Sequence, residues 1–486
     1  MDKKLKIIIV IITLIVGIIG YSQVMPLIPQ KPIKDFDPIQ IGEAKSTQDN
    51  NMLLSYLYNI SKEIHPTGSE ENYRVRDYIT NCLEQMNIEY NVETTTMDKK
   101  YLEEKKQIAY KNFIENIDEV EQTAKNNNMD VETFIKVSIG YESIDKYTNK
   151  TLSNIIVKMN SQNNSNAKNI MFVAHYDSVD ESYGAGDNGM SVAGLLETIR
   201  CLKDKDFNNN IYVMFTDGEE VGYWGAYDFI NKNNLDIDLI INFDNSGNSG
   251  NLMLYHYSDD SLAKQYFKSV SNESSYSFVN ELLYNPNSKY YQGDLSDAFA
   301  FSDKGYNTLD FALAGTPFYY HTENDNFYNI EISSLNNLTN SMIKMMSYYG
   351  DNELQPVTNE EFINFHLLNG IELSISQNAY VVMATIFIVT SCIYIVKLFD
   401  KKERKVKRML AIILALAGII TLWLFKNFSL LFTVPCIILL ITDLIKSERI
   451  KNISRIVLFE CYFFVVIQLL ILLVQYIIWG IGNGYL

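Results

Sequence analysis

Ile170-Met171-Phe172-Val173-Ala174-His175 is an unbroken apolar run that ends on an imidazole. No polar residue interrupts it, so the strand it predicts is covered on both faces, as in a parallel sheet flanked by helices. Two later stretches repeat the pattern. Ile211-Tyr212-Val213-Met214-Phe215 leads through a Thr-Asp-Gly turn to Glu219 and Glu220, and Leu239-Ile240-Ile241-Asn242-Phe243 ends on Asp244. Sites in such sheets form at the carboxyl ends of the strands. Three strands thus deliver an imidazole or a carboxylate to one edge. With Asp187 and His321 added, six residues read as one site for two metal ions, with a spare carboxylate to activate water.

Taken singly, each piece has an ordinary reading beside the functional one. His175-Tyr176-Asp177 places a carboxylate two positions after an imidazole, where it can accept the second ring N–H and fix the tautomer. Without a metal, it is a loop histidine. Gly184-Ala185-Gly186-Asp187-Asn188-Gly189 opens a helix that Asp187 or Asn188 could cap. In the functional reading, the two oxygens of Asp187 bridge two cations. A phosphate-cradling loop lacks its Lys-Ser/Thr sequel. Glu219 and Glu220 are either a solvated turn or a metal ligand beside a general base. Phe243-Asp244-Asn245-Ser246-Gly247 is otherwise a plain turn. Tyr319-Tyr320-His321-Thr322-Glu323-Asn324-Asp325 offers a late histidine beside aromatic rings. Of the five histidines, His65, His256 and His366 suggest only surface or core roles.

The chain has 486 residues and a formal charge of -17. Residues 1–25 and 351–486 each carry a net +2, so the stretch between them carries -21. An acidic middle domain argues against nucleic acid as a partner, because phosphate binding needs a basic face. Cys392, Cys436 and Cys461 lie in apolar C-terminal runs, and Cys82 and Cys201 lie on predicted helices. No close pair suggests a disulfide framework or a cysteine zinc site. Any metal must be held by histidines and carboxylates.

The ends read as membrane segments in contact with the lipid bilayer. Residues 1–25, with Lys3, Lys4 and Lys6 before an apolar run, form an anchor, or a signal whose Gly20 and Ser22 suit processing. Four spans are expected within 375–486, at Ala379–Phe399, Met409–Phe425, Ser429–Leu444 and Ile456–Trp479. Basic residues crowd the connections after the first and third of them. Positive-inside bias therefore puts those loops in the cytoplasm and the domain between anchor and spans outside it. The expected location is a multi-pass cell-membrane protein with an extracytoplasmic catalytic domain.

Between these ends, Pro26, Pro29, Pro32 and Pro38 mark a stalk over 26–58, the folded domain occupies 59–350, and 351–374 is a linker. Helices are predicted at Glu71–Met86, with Ser69 as N-cap, and at Met190–Lys203, Tyr223–Asn231 and Ser333–Tyr349. Further strands are predicted at Ile88–Thr95 and Leu152–Met159, and a charged two-helix insertion at 99–137. Strands alternating with helices indicate an α/β sandwich.

The order of these residues, at intervals of 12, 32 or 33, 24 and 77, resembles the zinc exopeptidase family of bacterial leucyl aminopeptidases and aminopeptidase Y. The matching segments are Ala174–Ser178, Gly184–Gly189, Gly218–Glu220, Asn242–Asp244 and Tyr320–Thr322, within about residues 60–350. Together with His65-Pro66-Thr67-Gly68-Ser69, the anchor and the spans, they look most like its membrane-bound branch. That branch includes the endoplasmic-reticulum metallopeptidase and the vacuolar membrane protease. The resemblance implies a three-layer α/β sandwich with a mixed, mostly parallel central sheet, of the phosphorylase/hydrolase-like kind. It implies two Zn2+ ions, one on His175 and Asp244 and the other on Glu220 and His321, with Asp187 bridging. Glu219 would be the general base, Asp177 the partner of His175, and Tyr320 the donor to the tetrahedral oxyanion. Membrane-bound relatives often have Glu where this chain has Asp244, and either acid can bind zinc.

The implied activity is removal of residues from the ends of extracytoplasmic peptides, most simply as an aminopeptidase acting on peptide or protein N-termini. A glutaminyl cyclase on the same fold would use a related ligand set. A catalytically silent receptor or scaffold would have lost ligands, and none is missing.

Overall fold

The computed structural model describes residues 33–382 with gaps, the longest at 108–120, 132–143 and 271–295. The anchor read at 1–25 and nearly all of the four C-terminal spans lie outside the described residues. No helix among the described residues is long and apolar enough to cross a membrane.

In chain order the main elements begin with α1 (Asn50–Ser61) and α2 (Glu70–Gln85), then β1 (Tyr90–Met97), β2 (Lys150–Lys158) and β3 (Asn169–His175). Next come α3 (Met190–Leu202), β4 (Asn210–Thr216), α4 (Trp224–Lys232), β5 (Leu239–Phe243) and β6 (Met253–Tyr257). The remainder are α5 (Asp260–Val270), α6 (Asp297–Asp303), β7 (Thr308–Ala312), α7 (Ile332–Asp351), β8 (Phe362–Leu367) and β9 (Ile371–Ser376). The Ser69 hydroxyl accepts the Asn72 N–H and caps α2 as predicted.

Seven strands form one sheet in the order β1-β2-β4-β3-β5-β7-β6. The pairings β4–β3, β3–β5 and β5–β7 are parallel, and the three outer pairings are antiparallel. The sheet is therefore mixed, but only its centre is parallel, which corrects the mostly parallel expectation. The two kinds of strand differ in composition. The parallel strand β3 is buried almost throughout, whereas edge strand β1 alternates between half-buried and exposed positions, as an antiparallel strand with one wet face can.

Helices cover both faces of the sheet. Ile170, Phe172 and Ala174 pack into a large core with residues of α1, α2, α3 and α7, while Met171 and Val173 face a smaller core with Ala226, Phe229, Ala300 and Phe301 of α4 and α6. That alternation produces three layers from one apolar run.

Three sequence-based expectations change here. Residues 50–58, assigned to the stalk, belong to the helix Asn50–Ser61, which buries Met52, Leu53, Tyr56, Leu57 and Ile60 in the large core. From within the linker at 351–374 to two residues beyond it, 362–367 and 371–376 pair as an antiparallel hairpin. Strand β7 went unread because Asp310 interrupts its apolar run. That carboxylate accepts Asn242 Nδ2 at 2.9 Å and Ser296 Oγ at 2.7 Å, so burial leaves it bonded. Of the insertion at 99–137, residues 99–105 are helical, and Leu102 packs against Met97, Tyr147, Leu152 and Trp224. Most of the rest lies outside the described residues.

Candidate metal centre

The carboxyl ends of β3, β4 and β5 bring His175, the Glu219–Glu220 turn and Asp244 together, and two loops add Asp187 and His321. His175 Nε2 lies 3.2 Å from Asp187 Oδ1, 3.3 Å from Asp244 Oδ1 and 4.0 Å from Glu219 Oε2. His321 Nε2 lies 3.2 Å from both Asp187 Oδ2 and Glu220 Oε2. The two oxygens of Asp187 are thus divided between the two histidines. Two overlapping groups present one ligand atom each within 4.8 Å: His175, Glu219 and Asp244, and His175, Asp187 and Glu220.

His175 Nε2 is within hydrogen-bond reach of Asp187 and Asp244, but two other atoms of the cluster are left over. His321 Nε2 is close to two carboxylate oxygens yet aligned for a hydrogen bond with neither, and Glu220 Oε1 is buried without a partner. Unsatisfied buried polar atoms are costly, and a cation between them would satisfy both. Nitrogen and carboxylate donors without sulfur fit such an ion.

The loops that carry these residues are themselves fastened. Asp187 sits in the single wide turn Ala185–Gly189, which runs into α3. Neither Asp187 nor Asn188 caps that helix. Asn188 Nδ2 instead donates to the Phe243 carbonyl at 2.7 Å, and Asn245 Nδ2 donates to Ser191 Oγ at 2.8 Å. Asp325, four residues after His321, accepts the N–H groups of Gly186 and Asp187. This buried acid therefore joins the His321 loop to the Asp187 loop. Gly186 permits the join, since a Cβ there would lie 2.4 Å from Asn248 Oδ1 and 2.9 Å from Asp325 Oδ1. His321 adopts φ 55°, a left-handed conformation uncommon for a side chain with a Cβ. Its ring stacks on Tyr320 with centroids 3.8 Å apart.

Asp177 is fully buried and plays a wider part than the sequence suggested. The nearest acceptor to His175 Nδ1 is the Asp177 main-chain carbonyl at 3.1 Å, with the carboxylate oxygen at 3.5 Å. The carboxylate accepts the main-chain N–H groups of Glu219 at 3.1 Å and Glu220 at 3.2 Å. One residue thus holds the imidazole and also the turn bearing both glutamates.

Two other buried acids were not recognised from sequence. Asp325 was part of a quoted segment but carried no role. Asp297 begins a helix after a Ser296 cap and so reads as an ordinary helix start. Its Oδ2 accepts the Thr216 hydroxyl, whereas Oδ1 is buried without a partner among the described residues.

The crowding of these acids dominates the electrostatics. Burial would lower the His175 pKa, but Asp244 and Glu219 outweigh it and hold the imidazole well above its ordinary value. Burial would lower His321 too, but Asp187 and Glu220 push it up to about 10. Asp187 moves the other way: burial would raise it, and the two histidines pull it down to about 2. Burial and then Asp244 hold Glu219 well above the carboxylate range. Burial, reinforced by neighbouring acids, pushes Glu220, Asp297 and Asp325 up to about 7 and Asp217 up to about 8. Burial first, then the anionic cluster, also raises Tyr320 well above the phenol range.

These shifts give the stability of the metal-free chain a sign. A carboxyl raised on folding binds its proton more tightly in the native state, so its contribution is full below its unfolded pKa and lost as pH rises through 7–8. The raised histidines act in the same direction at higher pH. The chelated chain should therefore melt several degrees lower at about pH 8.5 than at about pH 5.5, and added divalent cation should raise the midpoint more at the higher pH. Differential scanning fluorimetry across pH, with and without chelator, checks this. A metal-free chain that gains stability with pH would contradict it.

Residues 154–346 match the family model for Peptidase family M28. The matched segment is less than half of the chain. It contains all six residues of the cluster together with Asp177, Asp297, Tyr320 and Asp325. Among full-length relatives, the chain is 24% identical over 335 residues to a vacuolar membrane protease of Candida dubliniensis, covering 68% of this chain and 32% of that protein. It is 26% identical over 259 residues to a vacuolar membrane protease of Candida glabrata, covering 53% of this chain and 27% of the relative. The chain thus spans about a third or less of these relatives' length. Among solved structures, a zinc aminopeptidase from Bacillus subtilis superposes with a TM-score of 0.47 at 14% identity, covering 65% of this chain and 98% of its own. A Porphyromonas gingivalis glutaminyl cyclase gives 0.41 at 16%, covering 62% and 98%.

Proposed function

We propose that the chain is a membrane-anchored, di-zinc exopeptidase that removes residues from the N-termini of extracytoplasmic peptides. One observation carries this reading: Asp187 directs one oxygen to each histidine, so that two three-ligand clusters share a central carboxylate. His175, Asp244 and Asp187 would hold one ion, and His321, Glu220 and Asp187 the other. Imidazole and carboxylate donors suit zinc. Two divalent cations supply Lewis acidity and charge neutralisation at one substrate carbonyl.

The chain's own groups complete the chemistry. Glu219, whose carboxyl pKa is held well above its ordinary value by burial and by Asp244, takes a proton from the attacking water and returns it to the leaving amine. The Asp177 carboxylate holds the main chain of Glu219 in place. Tyr320, beside the cluster, donates its phenolic proton to the developing oxyanion.

Charge supports the amino end of the substrate over the carboxyl end. Asp177, Asp187, Glu219, Glu220, Asp244 and Asp297 are six acids at or beside the cluster, and two divalent cations offset four negative charges, so a surplus remains whenever the other two acids are ionised. The groups that chiefly set the Glu219, Glu220, Asp244 and Asp297 charges are other acids, His175, His321 and a threonine, with no lysine or arginine among them. A residual negative field favours a free α-ammonium and disfavours a terminal carboxylate. Membrane association is supported by the apolar runs at both ends and by the membrane proteases among the relatives. Basic loops between the C-terminal runs support an extracytoplasmic domain.

The test uses the purified full chain in detergent with matched free and N-acetylated peptides, and a peptide with N-terminal Gln. Hydrolysis of free peptides alone, abolished by chelator and restored by Zn2+, is the expected result. Cleavage of acetylated peptides from the carboxyl end would overturn the aminopeptidase assignment. Ammonia release from the Gln peptide without hydrolysis would make the chain a cyclase.

A further inference from the structure

We propose that Thr67, outside the segment that matches the peptidase family, is a positioning residue for the Glu219–Glu220 pair and acts through Asp177. The Thr67 hydroxyl donates to Asp177 Oδ2 at 3.0 Å, and both side chains are buried. Asp177 thereby has three donors: Thr67 and the main-chain N–H groups of Glu219 and Glu220. The other two belong to the peptide chain, so Thr67 is the donor that a substitution can remove without altering the turn.

The surrounding turn is built onto this edge of the site. The His65 N–H donates to Ser178 Oγ at 3.1 Å, and the Ser178 N–H donates back to the His65 carbonyl at 3.4 Å. Gly68 holds φ +72°, and a Cβ there would lie 2.8 Å from Lys150 Cβ, so the turn presses directly on β2. One turn of α2 further on, Asn72 Nδ2 donates to Asp217 Oδ1 at 3.2 Å, and the Ser153 N–H donates to Asp217 Oδ2 at 3.0 Å. The segment 65–72 therefore supplies one hydroxyl and one amide to the two buried acids that bracket the glutamate turn. Asn72 fastens the acid at the start of the turn, and Thr67 fastens the acid on which its main chain rests while also lying near enough to Asp217 to stabilise its charge.

A carboxylate that loses a donor relaxes toward those that remain, and here both remaining donors are the main-chain groups that aim Glu219 and Glu220. The outer partners of a metal ligand typically contribute about 10–100-fold in activity or metal affinity. A loss of that size is expected in kcat for Thr67→Val, which keeps the side-chain shape and removes the hydroxyl. Thr67→Ser restores the hydroxyl without the methyl and should recover most of the rate.

This proposal rests on the di-cation peptidase reading, and the test separates the two. Full-length wild type, Thr67→Val and Thr67→Ser are compared for kcat, KM, thermal midpoint, and Co2+ affinity with the cobalt absorption spectrum. A positioning role predicts that Val lowers kcat about 10–100-fold with KM changed by less than about threefold. It also predicts that Val shifts the cobalt spectrum or affinity and that Ser reverses both effects. If Val and Ser lower the midpoint alike while kcat per folded chain and the cobalt spectrum stay at wild-type values, Thr67 is only a packing residue. If wild type hydrolyses no peptide yet binds Co2+, the peptidase reading fails and the cobalt comparison alone decides for or against Thr67. A wild-type chain that neither hydrolyses nor binds Co2+ overturns both.

Discussion

Glu219→Gln should lower kcat about 10²–10⁴-fold, the usual contribution of a positioned general base, while leaving two zinc ions per chain and KM nearly unchanged. The amide keeps the shape of the side chain and the main-chain bond to Asp177 at 3.1 Å, but it cannot accept a proton. The result also decides between two arrangements the geometry permits. Glu219 Oε2 is 4.0 Å from His175 Nε2, near enough to join His175 and Asp244 as a third ligand. Asp187 is closer to the same nitrogen, at 3.2 Å, and supplies the third ligand in the arrangement proposed above. Steady-state kinetics and metal analysis of the same preparation separate the cases. Lost activity with full metal content identifies a base, and lost metal identifies a ligand. Retained hydrolysis with full metal content would leave the mechanism without its base.

Glu219 and Glu220 also mark how far the sequence could be read. An apolar run with an acid or imidazole at its end specifies both a buried parallel strand and the edge at which its last residue emerges. The central strands and the approach of His175, Asp244 and the glutamate turn were therefore legible before any coordinates. Helix α3 begins at Met190 as read and ends one residue early, and α2 is displaced by one residue, because periodicity and the Ser69 cap define their ends. What escaped depended on contacts made by distant chain segments. Helix α1 was hidden by the proline-rich stretch before it, although its apolar residues fall at helical spacing. Strand β7 was hidden by Asp310, which is tolerable only because Asn242 and Ser296 come to meet it. Thr67 and Asp177 are separated by 110 residues, and nothing local to either predicts their bond. His175, Asp244 and the glutamate turn are visible in sequence because they end or follow regular strands, whereas Asp187 and His321 lie on loops. The residues that hold all of these in place are not visible there, because burial and pairing are properties of the folded chain.

Asp187→Asn should be the most damaging single substitution in the cluster, because Asp187 is the residue that faces both histidines. Its two oxygens lie 3.2 Å from His175 Nε2 and 3.2 Å from His321 Nε2. Asparagine offers one oxygen and no charge, so it can serve one ion at most. The second ion then keeps a single imidazole and a single carboxylate, too few to hold it tightly. Metal content should fall to one zinc per chain or less. Activity should fall on the order of 10³-fold or more, since a catalytic cation contributes several kcal/mol and each 1.4 kcal/mol is a factor of ten. The fold itself should survive. Asp325 holds the loop through the main-chain N–H groups of Gly186 and Asp187, and neither bond involves the substituted side chain. The discriminating measurement is the thermal midpoint with and without Zn2+. Wild type should gain from zinc by mass action, whereas the variant should gain little; in chelator the variant should melt somewhat lower than wild type, because the metal-free chain loses the attraction between Asp187 and its two histidines. A variant that still binds two zinc ions and turns over normally would show that Asp187 does not bridge. A variant whose midpoint gains from Zn2+ as much as that of wild type would make Asp187 a structural residue of the loop, stabilised by its two histidines rather than by the ions between them.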